Sequence, residues 1–309
     1  MTIELLQTQK LLDTCEAGLA ERYAVHKLHE AADREAFLSE VGPRIRAIAG
    51  GNVDAALMDR LPKLEIIANM GVGYDSIDTD AAKARDIRVT NTPDVLNDAV
   101  AEIAIALMMA VSRQVPQADR FVREGRWEQE QYPFTTELRG KTVGILGLGR
   151  IGKEIAARAQ ALKMRIVYHG RHRQPTEPHI YYDNLEEMAR DSDWLVIVAP
   201  GSASTRGIVS RRVLEALGPE GRLVNVARGS LIDEQAMIEL LESGGLGGAG
   251  LDVFADEPHV PERLRQLDNV VLTPHYASAT RTTRDAMGAL VLKNLEAWFS
   301  GDPLPSAVV

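Results

Sequence analysis

Ten residues, VGILGLGRIG (Val143 to Gly152), constrain the fold more than any other feature of the chain. Gly147, Gly149 and Gly152 form a G-x-G-x-x-G pattern directly after an apolar strand pattern, Thr142 to Leu146, and before a helical pattern, Lys153 to Leu162. In that order the first glycine permits a tight turn, the second lets the backbone approach a pyrophosphate, and the third lets helix and strand pack closely. Free N–H groups and the helix dipole then favour an anion at the helix N-terminus. The stretch Gly147, Leu148, Gly149, Arg150, Ile151 and Gly152 is therefore the expected dinucleotide cradle. A competing phosphate loop, GKT at Gly140 to Thr142, fails because Thr135 stands where a further glycine is needed and a strand follows instead of a helix.

Around this loop, apolar runs alternate with helical patterns in two series. The first runs IELLQT, a helix near Leu11 to Arg22, IRAIAG, Val53 to Asp59, LEIIANMG, Ile77 to Arg85, and IRVTNTP. The second runs TVGILGLG, MRIVYHG, WLVIVAP, RLVNVARG, GGAGLDVF and NVVLTPH, six strands of the kind a dinucleotide-binding sheet requires. Such alternation predicts an α/β fold with parallel sheets. Between the series, Asn97 or Asp98 can cap a long, nearly all-apolar helix from Ala99 to about Arg113, and a last helix lies near Arg284 to Phe299.

The second strand of the cofactor series ends YHGRHRQ, where an acidic residue would bind the ribose 2′-hydroxyl of NAD. Gly170 occupies that position, followed by Arg171, His172 and Arg173. Loss of the carboxylate removes repulsion toward a 2′-phosphate, and two guanidinium groups can hold it through charge-assisted hydrogen bonds. NADPH (NADP when oxidised) is thus expected to be preferred to NADH.

Composition narrows the partners. Lys and Arg number 35 against 44 Asp and Glu, a formal charge of −9 with no long basic run, which argues against nucleic acid or an anionic membrane. The most apolar stretch, Ala99 to Val111, contains Glu102 and is too short for a membrane span. The N-terminus, MTIELLQTQK, lacks the order of a signal peptide, and the single Cys15 suits a reducing compartment, so a cytoplasmic location is expected. No metal site is expected: His26 with His29, and His169 with His172, lack a thiolate or an obvious third ligand.

Three ionisable residues follow predicted strands of the second series: Arg228 after RLVNVA, Glu257 beyond GLDVF and His275 after VVLTP. Ligands bind outside the carboxyl ends of such strands. An arginine can hold a carboxylate bidentately, an imidazole can deliver a proton near neutral pH, and a carboxylate can orient that imidazole.

The chain resembles the D-isomer-specific 2-hydroxyacid dehydrogenase family through GVGYDSID (Gly71 to Asp78), VAEIAIALMM (Val100 to Met109), GILGLGRIG, NVARGSLIDE (Asn225 to Glu234), GLDVFADEP (Gly250 to Pro258) and TPHYASAT (Thr273 to Thr280). GRHR after the second strand is similar to the NADPH-dependent glyoxylate and hydroxypyruvate reductase branch. The resemblance implies that Arg228, Glu257 and His275 are the substrate-binding arginine and the acid–base pair, with Val72 and Gly73 in the loop that holds the substrate carboxylate. It places Asp252 on the nicotinamide amide and Arg150, Ile151, Pro200, Thr205 and Val226 along the cofactor groove. Two positions depart from the family pattern: VAPGSAST, so Gly201 to Ser204 carry no transferred role, and Tyr276, which stands where a small aliphatic residue is common.

The implied fold is two doubly wound parallel-sheet domains around a cleft. A flavodoxin-like substrate domain would comprise 1–98 plus 285–309, and a Rossmann cofactor domain 99–284, usually as a homodimer. The expected reaction is NADPH-dependent reduction of a small 2-oxo acid to the D-2-hydroxy acid. The rivals are an NAD-linked dehydrogenase of another 2-hydroxy acid, against which Arg171 and Arg173 speak, and a cofactor-sensing protein without turnover, against which the intact Arg228, Glu257 and His275 set speaks. The physiological 2-oxo acid and the parts of Tyr74, Trp127 and Tyr276 are left open by the sequence.

Overall fold

Short apolar strands, each returned by a crossover, build two all-parallel sheets in this computed structural model, which describes residues 2–309. The chain divides into two units, Met1–Leu96 with Ser278–Val309, and Asn97–Ala277.

The first unit contains β1 (Ile3–Gln7), α1 (Asp13–Arg22), β2 (Tyr23–Lys27), α2 (Arg34–Val41), β3 (Ala47–Ala49), α3 (Ala55–Asp59), β4 (Ile66–Ala68), α4 (Thr79–Ala84) and β5 (Arg88–Thr90). Its sheet runs β2-β1-β3-β4-β5, the flavodoxin-like order. Leu5, Leu6, Ile48, Ile66 and Ile67 are fully buried, as expected of strands covered on both faces. Asp33, Asp54 and Asp78 accept hydrogen bonds from amides of the first turns of α2, α3 and α4, which fixes where those helices begin. The sequence pattern missed β2 and α2. β2 follows α1 without a loop and is a half-exposed edge strand, so it carries little apolar signal.

The second unit contains α5 (Asn97–Arg113), α6 (Val115–Arg123), β6 (Thr142–Leu146), α7 (Arg150–Ala161), β7 (Arg165–His169), β8 (Ile180–Tyr182), α8 (Leu185–Arg190), β9 (Trp194–Ile197), α9 (Arg211–Leu217), β10 (Arg222–Asn225), α10 (Glu234–Ser243), β11 (Gly248–Leu251), α11 (Glu262–Arg265) and β12 (Val270–Leu272). Its sheet runs β12-β11-β10-β9-β6-β7-β8. The order reverses beside β6, the strand that feeds the glycine loop, and such a switch point is where doubly wound sheets bind ligands. The six expected strands are present and a seventh, β8, extends the edge beyond β7.

The last helix, α12 (Arg281–Ser300), belongs to the first unit and is capped by Thr280, whose hydroxyl accepts from the Thr283 amide. Buried Asn294 on α12 holds Ser306, and Val308 N–H donates to Val89 O at 2.7 Å, so the C-terminal segment covers the open edge of β5. The expected domain limits at 98/99 and 284/285 fall inside α5 and α12; the structure divides the chain before each helix begins, because α5 packs on α7 and β11 of the second unit and α12 on α1 and β4 of the first. No single helix is long and apolar enough to cross a membrane.

Candidate active site

β10, β11 and β12 lie side by side in parallel, with Asn225 paired to Leu251 and Leu251 to Leu272. The three strands therefore end at one level, and the loops beyond them carry Arg228, Glu257 and His275. His275 Nδ1 faces Glu257 Oε2 at 2.6 Å, and both side chains are part exposed, at 47% and 33%. Glu257 Oε1 accepts the Phe254 N–H at 3.1 Å, which fixes the second carboxylate oxygen and aims the first at the imidazole.

His275 has φ of +48°, a conformation uncommon for a non-glycine residue that costs about 1–3 kcal/mol and persists only where its surroundings impose it. They do so here. Its amide donates to Asp252 O at 2.8 Å and to Thr273 O at 3.1 Å. The Asp252 carboxylate, fully buried, accepts from Thr273 Oγ1 at 2.7 Å and from the Tyr276 and Ala277 amides at 3.0 Å each. Three of roughly four lone-pair positions on that carboxylate are thereby engaged by the loop that presents His275. In this structure Asp252 acts as the pin of the histidine loop, a part the sequence did not suggest.

Arg228 lies half-buried just past β10. Fully buried Asn225 shapes its turn: Asn225 Nδ2 donates to Arg228 O at 2.9 Å and Asn225 Oδ1 accepts from Ala227 N at 3.0 Å. The next residue, Gly229, packs directly on the backbone of the β11 loop; a Cβ there would stand 2.0 Å from the Phe254 carbonyl carbon. Glycine at 229 thus lets the arginine turn sit against the loop that holds Glu257. Neither Asn225 nor Gly229 stood out as functional in the sequence, because their work is to hold neighbouring loops together.

The glycine loop has the shape a dinucleotide needs, for three separate reasons. Gly147 has φ of +101°, which favours glycine, and Gly152 would place a Cβ 2.2 Å from Gly147 O. Gly149, the N-cap of α7, has φ of −84° and open space where a Cβ would stand. Neither backbone nor packing requires glycine there, so the vacant volume is a cradle that a side chain would fill and a pyrophosphate can enter. Leu148 is buried, Arg150 is exposed and Ile151 is half-buried beside it.

Past β7, Arg171, His172 and Arg173 are exposed, and Gly170 has open space in place of a side chain. Val226 is buried at the end of β10 and Pro200 is exposed past β9. Thr205 Oγ1 donates to Pro200 O at 2.9 Å and accepts from Ser202 N at 2.9 Å, so its hydroxyl closes the 200–205 turn. His169 Nδ1 meets Tyr182 O, and among the described residues no group of three His, Cys, Asp or Glu is placed to hold a metal ion.

In the first unit, the loop after β4 carries Val72 and Gly73. Asn69 Nδ2 donates to Gly71 O at 3.1 Å and Gly73 O at 2.9 Å, and Asn91 Nδ2 donates to Val72 O at 3.0 Å. With all three carbonyls engaged, the amide N–H groups are the polar atoms this loop can offer an anion. Tyr74 beside it is 41% exposed, as is Tyr276 in the second unit, while Trp127 is 68% exposed.

A doubly wound sheet with a glycine cradle at its switch point and a carboxylate-oriented histidine at the same strand edge defines a nicotinamide-dependent oxidoreductase. Residues 105–277 match the family described as D-isomer specific 2-hydroxyacid dehydrogenase, NAD binding domain. The chain is 46% identical over 297 residues to glyoxylate/hydroxypyruvate reductase A HPR2 of Arabidopsis thaliana, covering 95% of each. It is 45% identical over 297 residues to hydroxyphenylpyruvate reductase of Plectranthus scutellarioides, again covering 95% of each. Among solved structures, the NADPH-dependent glyoxylate/hydroxypyruvate reductase of Sinorhizobium meliloti in complex with NADP and malonate superposes with a TM-score of 0.95 at 44% identity, covering 100% of this chain and 97% of that one. The chain belongs to the D-isomer specific 2-hydroxyacid dehydrogenase family and uses a nicotinamide cofactor.

Proposed function

We propose that this protein reduces a small 2-oxo acid of the glyoxylate or hydroxypyruvate kind to the D-2-hydroxy acid, with NADPH preferred to NADH. The observation that carries the reading is the 2.6 Å contact between His275 Nδ1 and Glu257 Oε2, with the imidazole part exposed at the edge where Arg228 also lies. The relatives named for glyoxylate and hydroxypyruvate reduction support the substrate class.

The bound cofactor would be held through its pyrophosphate by Gly147 to Gly152, and its nicotinamide would supply a hydride for the C2 carbonyl carbon of the substrate. His275 holds Nδ1–H toward Glu257, which leaves Nε2 to donate a proton to the oxygen at C2 as negative charge develops there. Glu257 supports the positive imidazolium, and its own orientation is set by Phe254 N–H. Arg228 takes the substrate carboxylate through its guanidinium fork and polarises the neighbouring carbonyl. Asp252 keeps the histidine loop in place, and the family resemblance also assigns it the nicotinamide amide.

NADPH preference rests on Gly170, Arg171 and Arg173, none of which brings a carboxylate toward a 2′-phosphate. The large exposed apolar side chains Met109, Val115, Val122, Trp127 and Phe134 on α5, α6 and the segment after them support a homodimer formed through the second unit. Cys15 is buried, and burial pushes its thiol up to about 11, which suits an inert structural thiol in a cytoplasmic protein.

The deciding experiment is the initial rate of reduced-cofactor oxidation with hydroxypyruvate and with glyoxylate, each with NADPH and with NADH. Turnover with an NADPH preference is expected. Turnover with NADH alone refutes the cofactor reading, and no turnover with either acid refutes the substrate class.

A further inference from the structure

The basic turn between β7 and β8 owes its position to groups that carry no charge. Gln174 Nε2 donates to Leu148 O at 2.6 Å, a bond from the turn into the middle of the glycine cradle. Gln174 N–H donates to the hydroxyl of buried Tyr168 at 2.7 Å, and Tyr168 packs against Tyr181 with ring centroids 5.3 Å apart. The Tyr181 hydroxyl in turn donates to Gly170 O at 3.2 Å, at the other end of the turn. Beyond it, Lys153 on α7 pairs with Glu177 at 2.7 Å. Arg171 and Arg173 sit between these fixed points.

We infer that Gln174 is a positioning residue for cofactor selection: it holds the Arg171–Arg173 turn at a set distance from the glycine cradle, so that discrimination for a 2′-phosphate depends on it although it is uncharged. The inference rests on the NADPH reading above. A dinucleotide spans the cradle, where its pyrophosphate is held, and the turn, where its adenosine ribose lies. Two exposed arginines on a turn free to drift spread their charge over many positions, and side-chain ordering then reduces what each contact contributes. A turn tied to the carbonyl of Leu148 presents both guanidinium groups in one register with the pyrophosphate site. Preorganisation of this kind acts on the ligand that carries the 2′-phosphate and leaves one without it nearly unaffected.

The test uses calorimetric binding of 2′,5′-ADP and of 5′-AMP to the full chain, with the NADPH to NADH ratio of kcat/KM as a second readout. Gln174→Ala is expected to weaken 2′,5′-ADP by about three- to tenfold, the equivalent of one hydrogen bond, while 5′-AMP binding stays within about twofold. Tyr168→Phe, which removes the acceptor of the Gln174 amide while keeping the buried ring, is expected to act in the same direction. Arg171→Ala with Arg173→Ala is the reference. If that pair loses 2′,5′-ADP preference while Gln174→Ala and Tyr168→Phe keep it, the positioning inference is overturned and the NADPH reading stands. Equal weakening of both nucleotides by Gln174→Ala also overturns it, since the bond would then shape the whole groove. If the arginine pair changes nothing, the basic-turn reading fails and the inference fails with it.

Discussion

Replacing Gly229 by Ala should disable the site without touching any ionisable group. A Cβ at 229 would lie 2.0 Å from the Phe254 carbonyl carbon, 2.1 Å from its oxygen and 2.4 Å from Ala255 N, where ordinary contact begins near 3.4 Å. The β11 loop must therefore retreat by about 1.4 Å, because the obstructing atoms are backbone and have no rotamer to change. Phe254 N–H is the donor that fixes Glu257 Oε1, so the retreat is passed to the carboxylate and then to His275. Overpacking of this size costs about 1–3 kcal/mol in stability. For a unit of this length that is a fall in Tm of roughly 2–12 °C. A displacement near 1 Å in a catalytic group can cost about a hundredfold in rate. Thermal unfolding and steady-state kinetics of Gly229→Ala measure both, with Gly149→Ala as the contrast. At 149 the added methyl meets nothing within 4 Å and φ is −84°, so stability should fall by no more than the roughly 1 kcal/mol that separates glycine from alanine at an N-cap, while cofactor affinity falls. Wild-type kcat/KM and Tm in Gly229→Ala would refute the claim that these two loops are held by backbone contact.

Three further outcomes are expected. His275→Ala should lower turnover by about a hundred- to ten-thousandfold with cofactor binding nearly intact, read by steady-state rates and fluorescence titration; preserved turnover sinks the proton-donor assignment. Asp252→Ala strips the acceptor from Thr273 Oγ1 and the Tyr276 and Ala277 amides, and should cost about 1–3 kcal/mol in denaturant unfolding together with a fall in kcat. Unchanged stability would mean that the histidine loop does not depend on this pin. In the first unit, burial raises the Glu16 carboxyl, but hydrogen bonds from Lys27 Nζ, Gln7 Nε2 and Leu11 N outweigh it and hold it at about 2, below its ordinary 4.5. A depressed folded-state pKa gives stability that is present above about 4.5 and lost as pH falls toward 2, so the Tm advantage of wild type over Glu16→Gln should shrink across that window; a constant difference would refute it.

Much of the architecture could be read from the residues because parallel strands buried on both faces write themselves as continuous apolar runs, such as WLVI at β9. The strands that escaped notice both lie at a sheet edge, and the helix α2 escaped with them. YAVHK at β2 and IYY at β8 are flanked by a neighbour on one side only, stay partly exposed, and so carry no selection for an apolar run. The helix starts were legible to within two or three residues, closer where a capping aspartate stood, as Asp54 and Asp78 do, than at Thr280 before α12 or Gly149 before α7.

The site divides along a similar line. Arg228, Glu257 and His275 announce themselves because their chemistry is unusual just past an apolar strand, but the sequence alone cannot bring three loops together that lie 29 and 18 residues apart. The sheet does that. Asn225, Leu251 and Leu272 stand in one register, and the three candidate residues follow those strand ends at short offsets, so convergence is a consequence of strand order and pairing. What remains hidden in the sequence is the set of residues that convert neighbouring loops into a rigid constellation: Gly229 by permitting backbone contact, Asp252 by gathering three donors, Asn225 by closing the arginine turn. Each is a small or polar residue whose importance depends on a partner from another loop. A histidine held at φ +48° would otherwise relax toward the ordinary range, and the buried Asp252 carboxylate is the group that opposes it; the geometry of the proposed proton donor is thus set by a residue that, in this structure, touches neither Nδ1 nor Nε2.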